Sequence, residues 1–196
     1  MFPVKRSLNT CLFVYGSAGT GKTLILMEAL KIKLCKLLCQ GRTVRILATT
    51  FDDDNIELRN YFSCKYLVNM KNIEVMSLSK LCRDLNVTFD PTTPRDTINR
   101  VITTLSDNYR DTDTVTLLLV DEVSSCENKQ TTPDWRDLEV RENIVWLLGL
   151  SPLAYSAIST EILLPLNKTV LTMHLAYKHR NCLQIRNIIK TINHVI

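Results

Sequence analysis

Eight consecutive residues, Gly16-Ser17-Ala18-Gly19-Thr20-Gly21-Lys22-Thr23, satisfy the pattern glycine, four residues, glycine, lysine, serine or threonine at every fixed position. Glycines at these spacings let the backbone fold tightly, so that successive N–H groups face inward and cradle phosphate oxygens. The N-terminus of a following helix adds its dipole. Lys22 neutralises the β- and γ-phosphates of a nucleoside triphosphate, and the Thr23 hydroxyl is placed to meet a magnesium ion. The blander alternative is a glycine turn ahead of a core helix. A chance match somewhere in such a chain is roughly a one-in-a-hundred event from ordinary residue frequencies. Three of the chain's five glycines fall in this loop, which argues against accident.

A second element of the same chemistry lies well downstream, where Leu117-Leu118-Leu119-Val120 runs into Asp121-Glu122. Asp121 suits a magnesium partner of Thr23, and Glu122 suits the group that orients and deprotonates an attacking water. General-base help of that kind contributes roughly 10²- to 10⁴-fold. An acidic pair that merely ends a strand in solvent is the competing reading. Position 121 lies 99 residues after Lys22 (121 − 22), a gap that accommodates intervening strand–helix–strand units. A strand adjacent to the one before the loop would bring the carboxylates beside it.

These residues need rigid supports, and the hydrophobic pattern supplies them. Short β-branched or apolar runs alternate with helical periodicity, the signature of parallel strands joined by helices. The predicted strands are Leu12–Tyr15, Val44–Thr49, Ile73–Met76, Val115–Val120 and Thr169–Leu175, with another apolar run at Ile144–Leu150. The fourth is a continuous apolar run of the kind found in a sheet centre covered on both faces. A long helix is predicted from Lys22 to about Gln40, with Leu24, Met27, Leu30, Leu34 and Leu38 on its apolar face and Gly41 as its stop. Shorter helices are expected after Asp53 or Asp54, over Ser77–Leu85, over Arg95–Tyr109 and over Asn181–Ile196. Residues 86–114 are taken as a small helical insertion on the sheet's edge. The polar stretch Ser124–Asp134 leads to a short helix ahead of the Ile144 run.

With 196 residues, 45% hydrophobic and 22% charged, the chain is sized for one compact domain. A net charge of +4 permits a nucleic-acid partner without predicting one. Seven cysteines, an odd number scattered through core-like segments with no Cys-x-x-Cys pair, fit reduced thiols in a cytoplasmic or nuclear, and so intracellular, protein. Cys35 and Cys39 stand one helical turn apart but lack a second pair of metal-ligand spacing. The apolar stretch at residues 11–15 is too short for a signal-peptide core, and residues 144–158 are too interrupted for a membrane span, so no membrane partner is expected.

At these residues the chain resembles the first motor domain of superfamily 1 helicases of the UvrD and Rep type. The resemblance is carried by the Ala18-Gly19-Thr20-Gly21-Lys22-Thr23 loop, by Leu47–Leu58, by Val75–Cys82 and by Tyr177-Lys178-His179-Arg180. It implies a RecA-like P-loop sheet with helices on both faces over residues 1–172. Residues 173–196 become the junction and first helix of a second motor domain that this chain lacks. ATP and Mg2+ are the implied cofactors, bound by Gly16, Ser17, Ala18, Gly19, Thr20, Gly21, Lys22 and Thr23, with Tyr177 near the base and with Thr23 and Asp121 as metal partners. Glu122, Lys22 and Arg180 become the catalytic set, Arg180 reaching the γ-phosphate. A polar, basic helix cap at residues 177–180 is the alternative.

Several family features are missing. No glutamine before the loop reads adenine, and Leu148-Gly149-Leu150-Ser151-Pro152 stands where a Gly-Asp with a following Gln is expected. The segment thought to touch single-stranded nucleic acid reads Thr49-Thr50-Phe51-Asp52-Asp53-Asp54, whose carboxylates repel a phosphate backbone. Phe51 is open between stacking on a base and a place in the core. Three functions follow. One is an ATPase resembling a helicase's first lobe, acting on single-stranded DNA or RNA and unable to unwind alone. Another is a regulatory ATPase switch acting on a protein partner, and the third, less supported for want of an arginine-rich lid, is a nucleoside or nucleotide kinase.

Overall fold

Cys11–Gly16 is buried at every position and forms the first strand, β1. Successive strand side chains point to opposite faces. Cys11, Phe13 and Tyr15 therefore enter one apolar cluster, while Leu12 and Val14 enter the other. The computed structural model describes residues 11–17, 19–51, 73–110, 113–123, 135, 138–151 and 170–175. Within them, β1 is followed by α1 (Lys22–Cys39), β2 (Thr43–Thr50), β3 (Ile73–Ser77), α2 (Leu78–Asp84), α3 (Pro94–Asn108), β4 (Thr114–Val123), β5 (Ile144–Leu150) and β6 (Val170–Leu175).

The six strands form a single sheet in the order β3-β2-β4-β5-β1-β6, and every neighbouring pair is parallel. This is an α/β fold. Helix α1 covers one face through Ile25, Leu26, Ala29, Leu30, Leu34 and Leu37, packed with Ile46, Leu117, Val145 and Leu147. Helices α2 and α3 cover the other, where Leu81, Cys82, Ile98, Val101, Ile102 and Leu105 meet Leu47, Leu118, Val120, Trp146 and Leu148. Burial on both faces explains why β4 and β5 read as unbroken apolar runs rather than as alternating ones. The expected strand bounds agree with these to within three residues at each end.

Helix α1 ends as its glycine foretells. Gly41 adopts φ 73°, and Arg42 N–H returns to Leu37 O at 3.1 Å, a left-handed C-terminal closure. Its buried stripe is rotated from the expected one. Leu24 is only half-buried and Leu38 is 55% exposed, while Ile25, Leu26, Ala29 and Lys33 turn inward. A helix this apolar offers more than one candidate face, and the sheet selects one. Helix α2 starts at Ser77, whose Oγ accepts from Lys80 N–H at 3.2 Å, an N-cap.

Two further expectations are corrected. The helix in residues 86–114 does not sit on the sheet's edge. Its apolar stripe presses onto the middle of the sheet, and its polar side holds the approach to β5. Ser106 Oγ donates to Asn143 Oδ1 at 2.8 Å, Asn143 Nδ2 donates to Ser106 O at 3.0 Å, and Glu139 N–H donates to Asn99 Oδ1 at 3.0 Å. Cys35 and Cys39 are exposed, unlike the buried Cys11 and Cys82, because they lie on the outer side of α1. The expected helices after Asp53 and over 181–196 lie outside the described residues. No helix among those described is long and apolar enough to cross a membrane.

Candidate functional site

The glycine-bearing loop leaves the carboxyl end of β1 and enters α1, as the pattern requires. Gly19 at φ 74° and Gly21 at φ 92° occupy left-handed conformations that cost other residues energy. Gly16 is needed for room: a Cβ there would lie 2.7 Å from Leu175 O and 2.9 Å from Thr20 Oγ1. Thr20 Oγ1 donates to Ser17 O at 2.8 Å and closes the turn. Lys22, only 7% exposed, curls back so that Nζ donates to Gly16 O at 3.0 Å and to Ser17 O at 3.2 Å. The N-terminus of α1 has no side-chain cap from Gly21 and no acid in its first turn. The positive end of an 18-residue helix thus faces the loop without a carboxylate of its own to offset it.

Asp121 meets this loop. Thr23 Oγ1 donates to Asp121 Oδ2 at 2.5 Å, and Glu122 N–H donates to Asp121 Oδ1 at 2.9 Å, so both carboxylate oxygens are held. Burial pushes the Asp121 carboxyl above its ordinary range, and the neighbouring Glu122 charge adds to the rise. The bonds from Thr23 and from the Glu122 amide, with the positive charge of Lys22, pull the other way. The expected strand adjacency is corrected: β4 is not beside β1, because β5 lies between them. Asp121 still reaches Thr23, by leaning over Gly149 of β5.

Glu122 leaves the strand differently. The β4–β5 register shifts between Val120 and Val123, and Glu122 takes φ 58°, a left-handed conformation that is uncommon for a residue with a side chain. The bulge swings its carboxylate into solvent beside a fully buried Asp121. Phe51 N–H donates to Asp121 O at 3.0 Å and Ser151 N–H to Val123 O at 2.9 Å, holding the bulge from both sides. Two adjacent acids are thereby separated into one buried and held and one exposed and strained.

The structure brings Gly16, Ser17, Gly19, Thr20, Gly21, Lys22 and Thr23 together with Asp121. Ala18, Tyr177 and Arg180 lie outside the described residues. Phe51 resolves as core: it is 2% exposed and packs on Phe89 with ring centroids 5.7 Å apart. Cys35 and Cys39 gain no third metal-ligating neighbour, since the described residues contain no group of three or more His, Cys, Asp or Glu side chains that could hold a metal. The close approach of the Asp121 side chain to Gly149 is not expected from the motifs. A lone glycine inside a buried strand is the signal that could have found it, since it marks a close approach. No family model matches the chain, and no curated protein matches it either.

Proposed function

We propose that the chain is a P-loop domain of RecA-like architecture that binds ATP with Mg2+ and hydrolyses it, resembling the first lobe of a superfamily 1 helicase. The observation that carries this is the 2.5 Å bond from Thr23 to Asp121, which joins the loop to the acidic strand through the two side chains that would share the cation. Hard oxygen donors from one hydroxyl and one carboxylate fit magnesium, which keeps most of its shell for phosphate and water. When bound, that ion supplies charge neutralisation to the β- and γ-phosphates.

The chain's own residues do the rest. Lys22 exchanges its bonds to Gly16 O and Ser17 O for phosphate oxygens, and the uncapped start of α1 receives the anion. Glu122, exposed beside Asp121, orients water and accepts its proton. Tyr177 near the base and Arg180 at the γ-phosphate complete the proposal by resemblance.

One observation favours a second reading. Phe51, the residue that would stack on a nucleic-acid base, is buried against Phe89, so it offers no free ring face. A regulatory ATPase acting on a protein partner does not need one. Magnesium-dependent phosphate release from ATP, measured with and without single-stranded DNA or RNA, tests both. Stimulation by oligonucleotide supports the helicase-like lobe, unstimulated turnover supports the switch, and no turnover in either condition sinks the ATPase proposal.

A further inference from the structure

The two halves of the site meet across a third strand, and the crossing point is a glycine. Gly149 pairs with Val14 of β1 on one side and lies in the strand that borders β4 on the other. Its φ is outside the left-handed range that marks Gly19 and Gly41, so the backbone here would accept any residue. Space is what it lacks. A Cβ at position 149 would overlap Asp121 Oδ1, stand 2.8 Å from Leu26 Cδ1 and approach Asp121 Cγ to 3.3 Å. By contrast, a Cβ on Gly19 or Gly41 would meet nothing within 4 Å.

Neither neighbour can give way at little cost. Asp121 and Leu26 are both 0% exposed. Moving the Asp121 carboxylate would break its bond from Thr23 Oγ1, its bond from Glu122 N–H, or both. Close-packed interiors transmit such a displacement rather than absorb it. We propose that Gly149 is a positioning residue: the missing side chain at the centre of β5 is what lets the Asp121 carboxylate cross the strand and lie against Thr23. The steric claim stands by itself; its consequence for a magnesium ion rests on the ATPase proposal.

A double-mutant cycle on the full chain tests it. Gly149→Ala is expected to lower the melting temperature by several degrees in the parent and by much less in an Asp121→Ala background, where the crowded atoms are gone. In turnover assays, Gly149→Ala is expected to raise the magnesium concentration for half-maximal rate at least tenfold. Nucleotide binding in EDTA, which depends on the loop and Lys22, should stay within about twofold. Should Gly149→Ala fail to fold while the Asp121→Ala double variant folds, coupling is demonstrated just as well. Equal melting losses in both backgrounds, or rescue by Leu26→Ala rather than by Asp121→Ala, overturns the proposal. Coupling in the melts without magnesium-dependent turnover in the parent chain would uphold Gly149's role and sink the ATPase reading alone.

Discussion

Thr23 Oγ1 and Asp121 Oδ2 stand 2.5 Å apart across 98 positions of sequence, within the range of a hydroxyl bonded to an ionised carboxylate. The bond spans from the first turn of α1 to the end of β4, with β5 between. Because Asp121 is fully buried, losing this donor leaves an acceptor that water cannot easily reach. Thr23→Ala should destabilise the metal-free protein by about 1 to 3 kcal/mol, read by denaturant melts. Thr23→Ser keeps the hydroxyl and should recover most of that loss; equal losses in both variants would mean the threonine methyl, not the bond, matters.

Lys22 holds two carbonyls of its own loop and should exchange them for phosphate. Lys22→Ala is expected to weaken ATP binding by about 1.5 to 3 kcal/mol, the worth of a charged hydrogen bond. Calorimetric titration with a slowly hydrolysed ATP analogue measures it. Unchanged affinity would remove Lys22 from the phosphate site.

Glu122 carries two separable effects. Glu122→Gln should retain ATP and abolish turnover, and full activity in that variant would show that another group handles the water. Glu122→Gly should also lose turnover yet raise stability by about 1 kcal/mol, since a left-handed conformation penalises a residue with a Cβ by about 1 to 2 kcal/mol. A melt that moves downward instead would show that the side chain supports the bulge.

Lys33 gives the pH dependence of stability. Buried at 1% exposure, its ammonium is brought down to about 8 by burial, against the opposing charge of Cys11 and with help from Lys36. From pH 8 toward the unfolded value of 10.5, the folded protein sheds a proton that the unfolded chain retains, so stability rises with pH. Cys11, pushed up to about 12, and Cys82, pushed up to about 11, act oppositely above their unfolded value of 9.0, both chiefly through burial. The rise should therefore be confined to pH 7 to 9 and stay below about 1 kcal/mol, and above pH 9 stability should fall, because two cysteines then outweigh one lysine. Lys33→Met should be more stable at pH 7 and lack the rise; a pH-independent difference between the two proteins would contradict this.

Arg180 is assigned by resemblance alone, which makes it the most exposed part of the proposal to test. Arg180→Ala should lower turnover while leaving ATP affinity within about threefold, the pattern of a group that acts mainly in the transition state. Equal turnover in parent and variant would end that assignment.

What could be read from the residues in order was local. The glycines of the loop, the continuous run Val115–Val120 and the stop at Gly41 each follow from the conformational needs of a few neighbouring residues, and each lies where expected. That an acid at the end of one buried strand should meet a threonine at the start of the first helix also followed, from chemistry rather than distance. Strand order did not, because a parallel strand carries no mark of its neighbours when both its faces are buried alike. Only the folded sheet placed β5 between the two halves of the site, turned Leu38 outward and Lys33 inward, buried Phe51 against Phe89 and laid α3 over the sheet's face. Gly149 shows the division well. Its lack of a side chain is written in the chain, but the reason lies in a carboxylate 28 positions earlier (149 − 121) that only tertiary packing brings against it.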